Sequence, residues 1–99
     1  MANKVISMSK IRQIVHNDDS PGTIKLATKS VNRARYVWQM CTDPNLESNW
    51  QTLSMITLAK YTAIGLKSGT KYYFRVSVVD RNGQGPWSNV LSVISLLYK

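Results

Sequence analysis

Leu66-Lys67-Ser68-Gly69-Thr70-Lys71-Tyr72-Tyr73-Phe74-Arg75-Val76-Ser77-Val78-Val79, running on into Asp80-Arg81-Asn82-Gly83-Gln84-Gly85-Pro86-Trp87-Ser88, is the stretch from which the fold is read. Tyr72, Phe74, Val76 and Val78 alternate with Tyr73, Arg75, Ser77 and Val79. A period of two sends successive side chains to opposite faces, so the segment reads as a strand with one face buried. The residues 67–70 before it and 80–86 after it supply the Gly, Ser, Asn and Pro that turns use.

The same alternation recurs upstream. Ile24, Leu26 and Thr28 alternate with Lys25, Ala27 and Lys29, and Tyr36, Trp38 and Met40 alternate with Val37, Gln39 and Cys41. Val, Ile, Thr and aromatics suit a pleated, half-buried surface. Ser20-Pro21-Gly22 and Thr42-Asp43-Pro44-Asn45 read as turns between these runs. From Asp43-Pro44 to Leu66 the alternation weakens, although the residues 50–52 and 59–64 still read as extended. A first strand within 10–16 and a last one across 90–94 bring the number to about seven. The expected fold is therefore all-β, a seven-stranded β-sandwich. No capped helix pattern, repeat or low-complexity tract competes with it. Residues 10–96 are expected to form the domain, with 1–9 a flexible N-terminal segment or linker and 97–99 a C-terminal tail.

Composition narrows the function classes. The chain has 99 residues, room for one domain, and 43 % of them are apolar against 18 % charged, which excludes a disordered tail. Lys and Arg number 13 against 5 Asp and Glu, a formal charge of +8. A single cysteine, Cys41, excludes an intramolecular disulfide, and with one histidine, His16, it cannot build a tetrahedral zinc site. His16-Asn17-Asp18-Asp19 reads instead as a polar turn leading to Pro21-Gly22, so no metal is expected. The longest apolar run, 90–98, is nine residues broken by Ser92 and Ser95, well short of the roughly 20 that span a bilayer. No signal-type apolar run follows Met1-Ala2-Asn3-Lys4. The expectation is a chain without membrane association, cytoplasmic if complete, and cell-surface or secreted if it is an excised domain.

Leu66-Lys67-Ser68-Gly69-Thr70-Lys71-Tyr72-Tyr73-Phe74-Arg75-Val76, with Asn82-Gly83-Gln84-Gly85-Pro86-Trp87-Ser88, resembles the second half of a fibronectin type III domain. Tyr36-Val37-Trp38-Gln39 is similar to the family's third strand, and Pro21-Gly22-Thr23-Ile24-Lys25-Leu26 to its second. The resemblance runs over 20–95 and is most specific in its second half. Thr42-Asp43-Pro44 and Gly85-Pro86-Trp87-Ser88 are similar to the single copies found in bacterial proteins. The resemblance implies an immunoglobulin-like β-sandwich with the fibronectin type III topology. It also implies a structural role for Tyr72, six residues past Leu66, as a tyrosine corner whose phenol bonds back to the preceding loop, with Leu66 closing the core beside it. The family's core tryptophan on the second strand falls near Thr28 here. Trp38, with inward parity on the third strand, is expected to fill that volume. Trp87 is expected to pack under the hairpin or to stack on Arg75.

Catalysis finds no support in the sequence. Asp18, Asp19, Asp43, Glu47 and Asp80 lie mostly in expected turns, Cys41 has no histidine near it, and Asn82-Gly83-Gln84-Gly85 is a hairpin between strands rather than a phosphate loop. No cofactor is implied. For binding, Arg35, Val37 and Gln39 share one parity, as do Tyr73 and Arg75. On neighbouring strands these five would form a basic, partly aromatic candidate face of the kind enriched at interfaces. The competing reading is a solvated face in which Arg stems cover aromatic neighbours. Lys25 and Lys29 would face outward from the opposite sheet, spreading positive charge over both faces. Tyr73, Trp50 and Trp87 are the surfaces on which a base or sugar would stack. The expected function is a non-catalytic module for protein–protein interaction or a structural spacer, part of a longer bacterial protein. The alternative is a binder of acidic polymers, glycan or nucleic acid, through a basic sheet face. The expected partners are a protein or neighbouring domain, or a weakly held anionic polymer, and the chain is expected to be a monomer or weak dimer.

Overall fold

Eight strand segments run through the computed structural model, which describes residues 11–14 and 22–95. They are β1 (Ile11–Ile14), β2 (Ile24–Thr28), β3 (Arg35–Cys41), β4 (Gln51–Ile56), β5 (Lys60–Ala63), β6 (Lys71–Asp80), β7 (Gly83–Trp87) and β8 (Leu91–Ile94), with one 3-10 turn at Glu47–Asn49 before β4. β1, β2 and β5 form a three-stranded antiparallel sheet. The second sheet runs β4-β3-β6-β7, and β8 also pairs with β6. β7 and β8 are thus two halves of one edge strand, and seven strand positions make a sandwich of two antiparallel sheets. The expected turn at Ser20-Pro21 and the His16-Asn17-Asp18-Asp19 segment lie outside the described residues, as do 1–10 and 96–99.

The period-two runs put their apolar members between the sheets. Ile24, Leu26 and Ala63 meet Tyr36, Trp38, Tyr72, Phe74, Val76 and Val78 in one buried cluster. Trp38 is fully buried, and its ring stacks on Tyr61 at 6.2 Å between centroids. Tyr61 is the register partner of Leu26 on the opposite sheet. Thr28 is buried without a large ring of its own. The indole Nε1 of Trp38 has no hydrogen-bond partner. An orphaned buried donor costs about 1–3 kcal/mol. Burying roughly 200 Å² of aromatic ring contributes on the order of 5 kcal/mol, so packing wins at this position.

Two tyrosine hydroxyls pin loops at opposite ends of the sandwich. Lys67 N–H donates to the Tyr72 hydroxyl at 2.8 Å. Val31 N–H donates to the Tyr36 hydroxyl, which in turn donates to the Val31 carbonyl at 3.2 Å. Each loop residue lies five positions before its tyrosine. β3 and β6 are antiparallel, so the two pins sit at opposite poles. Leu66 packs against the core, and its N–H donates to the Gly22 carbonyl at 3.0 Å. Gly22 has φ +85°, and a Cβ there would stand 2.8 Å from the Leu66 carbonyl oxygen. Only glycine fits that approach.

The expected turn over 80–86 is shorter in the structure. β6 continues to Asp80, β7 begins at Gly83, and only Arg81-Asn82 turn. The Asp80 carboxylate accepts the Asn82 N–H at 2.8 Å, and Gly83 takes φ +109°, so the chain re-enters the sheet at once. Pro86 is accommodated inside β7 because that strand is an edge.

Trp38→Ala is expected to lower unfolding free energy by about 3–5 kcal/mol in urea denaturation. Tyr36→Phe and Tyr72→Phe should each cost about 1–2 kcal/mol and add in the double variant, since the pins are far apart.

Candidate functional site

The outer face of the larger sheet is laid out in rows by strand register. Met55, Val37 and Ser77 form one row, Thr52, Gln39 and Arg75 the next, and Cys41, Tyr73 and Ser92 a third. Arg75 is the centre of this face. Its guanidinium carbon lies 4.3 Å from the Trp50 ring centroid and 4.1 Å from that of Trp87. Arg75 Nε donates to Gln39 Oε1 at 2.9 Å, and Gln39 Nε2 donates to Thr52 Oγ1 at 3.1 Å. Arg75 Nη1 donates to Glu47 Oε1 at 3.3 Å, and Nη2 is ion-paired with Glu47 Oε2.

Local sequence brings each partner to this arginine. Asp43 accepts the Asn45 N–H on its carboxylate, and its carbonyl accepts Asn49 Nδ2–H at 2.9 Å. Those bonds hold the turn in which Asn49 and Trp50 N–H donate to the Leu46 and Glu47 carbonyls, so Glu47 and Trp50 both reach β6. On the other side, Ser77 Oγ donates to the Gly85 carbonyl at 2.8 Å. Val76 N–H donates to Ser88 Oγ at 3.0 Å, and Ser88 N–H donates back to the Val76 carbonyl at 2.8 Å. These serines stitch the edge strand across its register shift and set Trp87 over the guanidinium.

The face therefore differs from the one expected. Arg75 is only 7 % exposed and Val37 only 6 %, so neither is offered to solvent. Two indoles cover the guanidinium, and Val37 is enclosed within its row between Met55 and Ser77. Gln39 and Tyr73 are half-buried and Arg35 is exposed. Arg35 pairs with Val79 and Tyr73 with Cys41, which puts them at opposite ends of the ladder, roughly 20 Å apart along the strands. Lys71 Nζ lies 5.7 Å from the Tyr73 ring centroid. The positive charge of Arg75 is already held by Glu47 and by two aromatic faces, each worth about 0.5–2 kcal/mol. The sequence reading missed Trp50 and Glu47 as its partners. They come from a loop, which strand periodicity does not place.

Cys41 is buried, and that burial pushes its thiol pKa up, against a lowering by a hydrogen bond with the Asp43 backbone. A thiol held protonated is a poor nucleophile. Among the described residues no group of three His, Cys, Asp or Glu could hold a metal ion. No helix among them is long and apolar enough to cross a membrane. Basic residues also stand on the smaller sheet. Lys25 and Lys60 lie diagonally across β2 and β5, Arg12 is the register partner of Ala27 between them, and β1, β2 and β5 contain no acid.

A family model described as the fibronectin type III domain matches residues 19–94. Among solved structures, the sixth fibronectin type III domain of human fibronectin type III domain containing protein 3 is similar at a TM-score of 0.76 and 18 % identity, with 100 % of this chain and 93 % of that one covered. An Fn3-like protein from Clostridium thermocellum is similar at 0.68 and 24 % identity, covering 83 % of each. Pectate lyase PelI of Erwinia chrysanthemi, solved with tetragalacturonic acid, is similar at 0.70 and 14 % identity over 88 % of this chain and 28 % of that one. At these identities the likenesses show the fold alone. No curated protein sequence matches the chain.

The hydrogen bond from Arg75 holds the Glu47 carboxyl below its usual pKa. A depressed carboxylate stabilises the fold fully above its unfolded-state pKa, and that contribution is lost as pH falls through the folded-state value. The melting temperature of the native chain should therefore exceed that of Glu47→Gln at neutral pH, and thermal unfolding across acid pH should show the gap closing. Arg75→Lys should cost about 2–4 kcal/mol, because a lysine cannot fill the planar slot between the indoles or grip the carboxylate with two bonds.

Proposed function

Since the chain belongs to the fibronectin type III family, whose domains are commonly non-catalytic binding or spacer modules, we propose that it is a protein-interaction module within a longer protein. The observation that carries this reading is the Trp50–Arg75–Trp87 stack on the outer face of the larger sheet. Aromatic and arginine side chains dominate binding energy at interfaces, and here their conformations are fixed before any partner arrives. Around the stack lie Gln39 and Tyr73, half-buried, with Met55 exposed one row on, while Arg35 stands at the end of the ladder. The part a partner would meet is thus this rim and the edges of the indoles. The guanidinium itself is enclosed. The similar pectate lyase structure, matched over only 28 % of its length, is a case of such a fold within a longer enzyme chain.

A second reading rests on the smaller sheet. Lys25 and Lys60 stand diagonally on β2 and β5, strands whose sequences hold no acid, a setting that suits an anionic polymer. Such binding would fall steeply with added salt.

Arg75→Glu is unsuited to separating these readings, since it would disrupt the stack. A photo-reactive residue in place of Tyr73 is expected to cross-link one saturable protein partner in the source cell, and the same group in place of Lys25 to cross-link none. Amide NMR titration with a short DNA and a sulfated glycan near physiological salt covers the second reading. Saturable shifts at Lys25, Thr62 and Lys60 would favour it over the first. Silence in both experiments would leave a spacer.

A further inference from the structure

The larger sheet has two edges built differently. On one side, β7 and β8 carry Pro86 and a break at 88–90. These are the devices with which proteins block edge-to-edge pairing. On the other side stands β4. Ser48-Asn49-Trp50-Gln51-Thr52-Leu53-Ser54-Met55-Ile56-Thr57-Leu58-Ala59 are twelve consecutive uncharged residues in a chain with 13 basic and 5 acidic ones. Glu47 precedes this run and Lys60 follows it. β4 has neither a proline nor a lysine to guard it, and Met55 and Leu58 are exposed.

The register irregularity between Trp38 and Gln39 gives β4 an unusual face pattern. Thr52 pairs with Gln39, and Met55 with Val37, both on the outer face. Gln51, Ser54 and Ile56 pair with Met40, Trp38 and Tyr36, whose side chains turn inward, and Leu53 packs on the core. Along Gln51–Ile56 the faces read in, out, in, in, out, in. That order is the same in both directions, with its centre between Leu53 and Ser54. Directly opposed residues of an antiparallel pair share a face, so β4 can pair with another β4 about that centre without any side chain changing sides.

Charge fits the same centre. Asp43 and Glu47 lie at the Gln51 end of the strand, and Arg33 and Arg35 lie at the Ile56 end, while Lys71 and Asp80, which run against this order, stand two strands away on β6. In an antiparallel pair the acidic end of each copy meets the basic end of the other. At physiological ionic strength the Debye length is about 8 Å, so these seam contacts act while the repulsion of distant lysines is screened. We propose that two copies of this chain associate through β4 about a two-fold axis, with Thr52 opposite Met55 of the second copy and Gln51 opposite its Ile56. The two larger sheets then become one continuous sheet.

Sedimentation velocity of the full chain up to about 1 mM, where even a millimolar contact is visible, is expected to show a monomer–dimer equilibrium. Met55→Lys should weaken the dimer by about tenfold or more and lower the melting temperature of the dilute protein only slightly, since Met55 is half exposed and a lysine stem still covers Val37. Register is read from two single variants, Thr52→Cys and Met55→Cys. Mild oxidation of their mixture should give a 52–55 cross-link that neither variant yields alone. A chain that stays monomeric throughout, a dimer indifferent to Met55→Lys, or cross-links formed by either variant alone in place of the mixed one would overturn the proposal.

Discussion

The pairing of β3 with β6, from Arg35 opposite Val79 to Cys41 opposite Tyr73, sets the side of the sheet on which every decisive side chain lies. One register puts Tyr36, Trp38, Phe74 and Val76 into the core and, by the same alternation, Gln39 and Arg75 onto the outer face. A slip of one residue would expose the largest ring of the core and drive a guanidinium into it. Core and face are thus two consequences of a single ladder.

The ladder also explains how the outer face is organised. A guanidinium in mid-strand must be hydrated or be matched by other groups. Here the matching groups come from two separate sources, a loop that delivers Glu47 and Trp50 and an edge strand that delivers Trp87. Glu47 itself remains largely exposed, so the ion pair is dry on one side and wet on the other. Desolvation is met mainly by the ring faces and by Gln39, and the carboxylate adds a contribution that solvent can reach. The +8 charge of the chain is consequently less available on this face than a count of arginines suggests.

Much of this was legible in the sequence because β2, β3 and β6 keep a strict period of two. The parity of Trp38 followed from that regularity, and the anchoring role of Tyr72 from the resemblance to fibronectin type III domains. Tyr36 has the same relation to Val31 that Tyr72 has to Lys67, a signal present in the sequence but unread there. The weak alternation after Asp43 has a physical cause, since a strand whose faces run in, out, in, in, out, in has no period of two to detect. Trp50 and Glu47 lie just before that strand, and their meeting with Arg75 depends on a turn closed by Asp43 and Asn49. Contacts of that kind depend on tertiary geometry, which a local pattern does not encode.

The two tyrosine pins bear on how such a domain can diverge. Each holds its loop through main-chain atoms, of Val31 in one case and Lys67 in the other, so the identities of those loop side chains are irrelevant to the bond. Asn32 at one pole and Lys67 at the other can therefore vary in size and charge while the anchor stays put. Mutation can explore new surface chemistry at both poles without renegotiating the sandwich beneath them.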